Sequence, residues 1–180
     1  VVNARLFGEM IRRMPEGMVF FTAEDQNIHV KCGKSEFNFI GISAEDFPEL
    51  SQVDGINEIS LPQGILKNMI NQTIFAVADN EVRPVYTGSL FEINDGELTV
   101  VSVDGYRLAK RSEKIENGKM ENCSFVVPGS SLTDIERICA DSDELVSIAV
   151  GARHISFTIG ETVVLTRRLE GEFLNYRKSI

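Results

Sequence analysis

Asp104, Tyr106 and Arg107 place a carboxylate, a phenol and a guanidinium within four residues. A carboxylate so placed could serve as a general base, but acid–base catalysis needs a second titratable group within reach. The surrounding residues supply no histidine or second carboxylate in a recognisable constellation. Asp104-Gly105 is also a dipeptide that readily closes a tight turn, so Asp104 reads first as a turn residue. His29 and His154 fall inside strand-like patterns and read as half-buried sheet residues rather than ligands or bases. Cys32, Cys123 and Cys139 are odd in number, far apart and in no CxxC arrangement, which points to cytosolic thiols rather than a disulfide framework or zinc site. No Gly-rich phosphate loop, HExxH or nucleophile elbow occurs. The expectation is no catalytic residue, no metal ligand and no cofactor.

The elements that position these groups follow from the neighbouring residues. Thr99, Val100, Val101 and Val103 form a β-branched run that stops at Asp104-Gly105, after which the chain re-enters an extended segment through Tyr106-Arg107-Leu108. Such a turn holds Tyr106 and Leu108 near a sheet edge with Arg107 reaching outward as a fixed cation. It makes either a wall for a peptide groove or a hairpin turn with no role beyond topology.

Apolar residues Leu6, Phe7, Met10, Ile11 and Met14 predict an amphipathic helix over 4–14, with Arg5, Glu9, Arg12 and Arg13 on its other face. Strands are predicted over 18–22, 27–32 and 35–42. Residues 51–57 are polar and aperiodic, a natural linker. A second unit opens with the strand 58–61 and a helix that starts at Pro62 and buries Ile65, Leu66, Met69 and Ile70, with Lys67 facing away. Strands follow at 85–93 and 98–103, then a charged connector over 113–122. A third unit repeats the strand running into a proline at Ser124–Pro128, buries Leu132, Ile135, Ile138 and Cys139 on a helix that carries Arg137, and ends in strands over 145–150, 154–159 and 163–169. Asn27–Gly33 aligns with His154–Gly160, and the turn around Phe47 aligns with that around Phe173. The chain therefore reads as three helix-plus-three-strand units, the middle one replacing its closing turn with the Asp104-Gly105 stretch.

One helix with a single apolar stripe cannot cover a three-stranded sheet alone, so two units should share a core, with both helices on one side of a joined sheet. This makes the fold class α+β. The formal charge of −9 argues against a generally basic nucleic-acid coat but not against a local cationic lining. Units continued into a ring would turn the cationic helix faces towards a central hole, while acidic residues coat the outside. Arg and Lys contacts to phosphate carry no base information, which is what sliding along a duplex requires. Asp134 and Glu136 make the third helix the weakest phosphate contact. No apolar run approaches the ~20 residues of a membrane helix, no charged-then-apolar leader opens the chain, and a cytoplasmic protein is expected. The ends look like those of a piece of a longer protein.

Asn71–Ala78, Glu81-Val-Arg83, Gly88-Ser-Leu-Phe-Glu92, Val103-Asp-Gly-Tyr-Arg-Leu-Ala109 and Phe125–Pro128 together resemble the bacterial replicative sliding clamp, the beta subunit of DNA polymerase III. The resemblance implies a DNA-clamp fold with two repeated units per domain, and a homodimeric ring of three-domain chains that encircles double-stranded DNA non-specifically. Such a ring is a non-catalytic processivity factor that tethers the DNA polymerase III alpha subunit, the clamp loader and other clamp-binding peptides. It places residues 1–57 as the C-terminal half of the first domain and 58–180 as the middle domain, the third domain being absent. Without it the 180-residue chain is expected to be a monomer or a non-native association. The matching peptide-pocket positions are Tyr86, Val103, Gly105, Tyr106, Arg107, Leu108, Leu174, Lys178 and Ser179. Val103, Tyr106 and Leu174 depart from the common Thr, His and Pro, which keeps the pocket apolar but changes its hydrogen bonding. Arg5, Arg12, Arg13, Lys67, Arg83 and Arg137 are expected to face DNA. The alternatives are a peptide-binding module without a DNA role and a small enzyme centred on Asp104.

Overall fold

A computed structural model describes residues 1–47, 53, 57–79, 82–115, 117–118 and 122–178. The chain divides into two compact units, Val1–Leu50 and Ser51–Ile180.

In the first unit, Asn3 caps helix α1 (Ala4–Arg12), its Oδ1 accepting from the Leu6 amide at 3.0 Å. Strands β1 (Val19–Glu24), β2 (Asn27–Cys32) and β3 (Ser35–Ile40) form an antiparallel sheet that pairs Phe21, Val30 and Phe37 across one face. Phe7 of α1 packs 5.8 Å from Phe21 and 6.3 Å from Phe39, ring centre to ring centre, over the buried Val30 and Cys32. A single helix leaves this sheet incompletely covered, and Phe21, on the helix side, stays 55% exposed. The helix stops at Arg12, short of the predicted Met14.

The second unit runs β4 (Asn57–Pro62), α2 (Gln63–Asn71), β5 (Gly88–Asn94), β6 (Glu97–Val103), β7 (Leu108–Lys114), β8 (Asn117–Gly118), β9 (Cys123–Pro128), α3 (Gly129–Ile138), β10 (Leu145–Val150), β11 (His154–Ile159) and β12 (Thr162–Arg167). Pro62 and Pro128 end a strand and precede a helix in the same way, and Leu66 and Leu132, each four residues further on, are both fully buried. The pairing is an exchange. β4, which leads into α2, pairs with β10 of the following repeat, while β9, which leads into α3, pairs with β5 of the preceding one. Instead of the joined sheet expected from the sequence there are two, in orders β12-β11-β10-β4-β8 and β7-β6-β5-β9. One continuous core joins both helices to one face of each sheet, with Phe91 stacked on Phe125 at 5.5 Å.

Three further expectations are corrected. The strand predicted from Val85 starts at Gly88, because Pro84 opens a 3-10 turn over Pro84–Thr87 and only glycine fits against the Val127 carbonyl where β5 begins. Glu113 and Lys114 belong to β7 rather than to a connector, and Asn117–Gly118 adds a short strand to β4. Asp104-Gly105 does not replace a closing turn. It joins the second and third strands of the middle repeat, as Gly33-Lys34 and Gly160-Glu161 do in the others. His29 and His154 are half-buried sheet residues, and His29 Nδ1 lies 2.5 Å from Asn38 Oδ1.

Candidate peptide groove and cationic helix faces

Every residue of β6 from Leu98 to Val103 is buried. A strand covered on one face alternates, so a strand buried at both parities must be covered on both sides. Leu98 and Val100 face the helices, whereas Val101 joins Val85, Leu90, Val126 and Tyr176 in a second apolar cluster on the opposite face of the same sheet. The cover there is the strap that follows β12. Leu169 bridges to Val126, its amide donating to the Val126 carbonyl at 3.0 Å, and Phe173 meets the Tyr86 ring edge-on at 5.5 Å.

The β6–β7 turn borders this cluster. Asp104 Oδ1 accepts from the amides of Tyr106 at 2.9 Å and Arg107 at 2.8 Å, while Oδ2 accepts from Arg107 Nε at 2.8 Å and pairs in charge with Nη2 2.6 Å away. Gly105 supplies the positive φ of 92° that the turn demands. These donors, the Tyr106 amide foremost and then the Arg107 amide and side chain, hold the Asp104 carboxyl down at about 2. A carboxylate that weakly basic, with both oxygens engaged, is a poor general base at neutral pH. Arg107 does not reach outward as a fixed cation; it folds back on Asp104.

Of the expected pocket residues, Val103 and Leu108 pair across the β6–β7 ladder, Val103 buried and Leu108 half-buried against the second cluster, which Tyr86 also borders. Tyr106 is 99% exposed at the turn tip and Leu174 is 40% exposed on the strap. Lys178 ends a short 3-10 turn, Tyr176–Lys178, and is exposed. Ser179 lies outside the described residues. The sequence reading missed Val85, Leu90, Val101, Val126, Leu169, Phe173 and Tyr176, which form the floor and cover; apolar residues at both parities of β6, Leu98 and Val100 against Val101 and Val103, were the available signal. Beneath the strap a cleft of about 360 Å³ opens between β5, β9 and Gly171–Arg177. At its wall the Tyr176 hydroxyl donates to Glu92, and burial first, then that carboxylate, push the phenol up to about 12.

The expected DNA-facing residues fall into two groups. Arg12 on α1 and Arg13 at its C-cap are exposed, and Arg5 lies 3.5 Å from Glu9 on the same helix. In the second unit Lys67 pairs with Asp141 at 3.2 Å, Arg137 approaches Asp134 at 3.9 Å, and the Arg83 guanidinium lies 5.9 Å from the centre of the Tyr86 ring, beside the groove. Exposed ion pairs such as Arg5–Glu9 and Arg137–Asp134 are worth at most about 1 kcal/mol.

Comparison with known proteins places the chain among relatives of one family. Residues 60–175 match the family described as DNA polymerase III beta subunit, central domain, and residues 1–51 match DNA polymerase III beta subunit, N-terminal domain. The beta sliding clamp of Bacillus subtilis is 33% identical over 174 residues, 96% of this chain and 46% of the relative; that of Halalkalibacterium halodurans is 34% identical over 176 residues, again 96% and 46%. The chain thus spans about half the length of the curated relatives it matches. Among solved structures, the Bacillus subtilis DNA polymerase sliding clamp superposes with a TM-score of 0.92 at 32% identity, covering 98% of this chain and 47% of that one. The Pseudomonas aeruginosa DNA polymerase III subunit beta gives 0.93 at 30% identity, covering 99% and 50%.

Proposed function

The chain belongs to the DNA polymerase III beta subunit family, and on that premise we propose that its protein is a sliding clamp: a non-catalytic, cytoplasmic, homodimeric ring that encircles double-stranded DNA and tethers the replicative polymerase. In this reading residues 1–57 are the C-terminal half of a first domain and 58–180 a middle domain. The observation that supports it most is the exchange pairing of the second unit, in which two copies of one helix-plus-three-strand repeat share a core and set α2 beside α3. This reciprocal pairing closes a two-repeat domain, and a ring follows when such domains join one another around a symmetry axis. The cations of α1, with Lys67, Arg83 and Arg137, then supply sequence-independent phosphate contacts. The groove bounded by Tyr86, Val103, the 104–107 turn, Leu108, Leu174 and Lys178, with Ser179 carried over by family resemblance, takes linear peptides of the polymerase alpha subunit, the clamp loader and other partners.

The test is topological. The full-length protein loaded on nicked circular DNA should stay bound through gel filtration and be lost when the DNA is linearised; retention on linear DNA would contradict encirclement. A peptide-binding module without a DNA role is the second reading, favoured by the ion pairing of Lys67 and Arg137 and by the net charge of −9.

A further inference from the structure

Glu92 closes the Gly88–Glu92 motif on the outer face of β5, where its partners across the sheet are Thr99 and Ser124. Its side chain is only 16% exposed. The Tyr176 hydroxyl donates to Oε2 at 2.6 Å, and Arg177 donates through Nη1 to Oε1 at 3.1 Å and through Nη2 to Oε2 at 2.6 Å. Tyr176 is buried between this pair and the sheet, with the Arg177 guanidinium 5.2 Å from its ring centre.

The strap has two kinds of anchor. Leu169 fixes where the strap leaves the sheet, through its backbone hydrogen bond to Val126, but further along Phe173 holds it through apolar contact, which is non-directional and tolerates small shifts along the sheet. A bidentate guanidinium–carboxylate pair fixes distance and orientation together. Leu174 precedes Tyr176 by two residues and its carbonyl accepts from the Tyr176 amide at 2.8 Å; the Lys178 amide donates to the Asn175 carbonyl at 3.2 Å. Rim residues and anchor are therefore one hydrogen-bonded turn, and where the pair locks, Leu174 and Lys178 lock with it.

We infer that Glu92, Tyr176 and Arg177 form a positioning clasp that holds the strap at the register in which Leu174 and Lys178 border the peptide groove; this rests on the groove reading above. The clasp pre-forms the rim, so an incoming linear peptide with apolar anchors does not have to order the strap as it binds.

Full-length protein decides it, with a fluorescein-labelled polymerase-tail peptide as probe and hydrogen exchange of the 173–178 amides measured without peptide. Glu92→Gln keeps an acceptor for Tyr176 and removes the charge pair. It should speed strap exchange and weaken the peptide about tenfold, mainly through faster dissociation, with retention on circular DNA unchanged. Arg177→Met should do the same, and carries the test if Glu92→Gln does not fold. The reciprocal exchange Glu92→Arg/Arg177→Glu should recover affinity to within about threefold, which loss of a direct peptide contact would not allow. Faster strap exchange with unaltered affinity, or a loss that the reciprocal exchange does not restore, overturns the clasp. Failure of the groove reading shows differently: the wild-type protein itself then binds no peptide, and the proposal falls with it.

Discussion

Asp104 shows how one side chain can be read for two roles and geometry choose between them. In sequence it is the carboxylate nearest to a phenol and a guanidinium. In the fold its oxygens face the amides of Tyr106 and Arg107 and the Arg107 side chain, so it builds the turn that borders the groove. Its carboxyl is lowered from an ordinary 3.8 to about 2. A carboxyl depressed in the folded state contributes its stability above the ordinary value and loses it as pH falls through the folded one. Protection of the Tyr106 and Arg107 amides from hydrogen exchange should therefore be complete at about pH 5 and fade between about pH 4 and about pH 2. In Asp104→Ala the protection should be absent throughout. Protection in that variant equal to wild type would show that the carboxylate does not hold the turn.

At the level of elements, the two units differ in how completely their helices are covered. Leu66 of α2 is fully buried in the core that α3 and both sheets complete, whereas Leu6 of α1 is 59% exposed. Leu66→Ala should cost about 3 kcal/mol in urea unfolding, since it removes buried methyl groups and leaves a cavity that a packed core cannot fill. Leu6→Ala should cost under about 1 kcal/mol. Equal costs would contradict the difference in burial. Much of this was legible: the apolar spacing of the helices, the Pro62 and Pro128 starts and the Asp104-Gly105 turn are all local signals, although Ile138, expected to be buried, is 41% exposed at the last turn of α3. The end of β7 was not, because Lys110, Arg111, Glu113 and Lys114 look like loop residues. They are tolerated on an edge strand, where charge also discourages unwanted pairing.

On the scale of the whole molecule, the proposed function gives the α1 cations and the groove different work, which should separate genetically. In the full-length protein Arg12→Glu should lower retention on circular DNA and reduce its salt dependence by about one unit of slope per contact, leaving peptide affinity unchanged. Leu108→Ala should do the reverse, abolishing peptide binding and sparing retention. Retention untouched by Arg12→Glu would favour the module without a DNA role.

The amino-acid sequence by itself determined the repeat, the α+β class, the helix faces and the family resemblance, because these rest on short-range periodicity and on motifs readable in order. Tertiary structure alone decided that β4 and β9 exchange sheets, that the strap covers the second face of β6, and that Arg107 spends its charge on Asp104 while Arg177 meets Glu92. The physical reason is that strand pairing, two-sided burial and the choice of ion partner depend on residues brought together from distant parts of the chain. No local pattern encodes which of several acceptable neighbours a strand edge or a guanidinium will find.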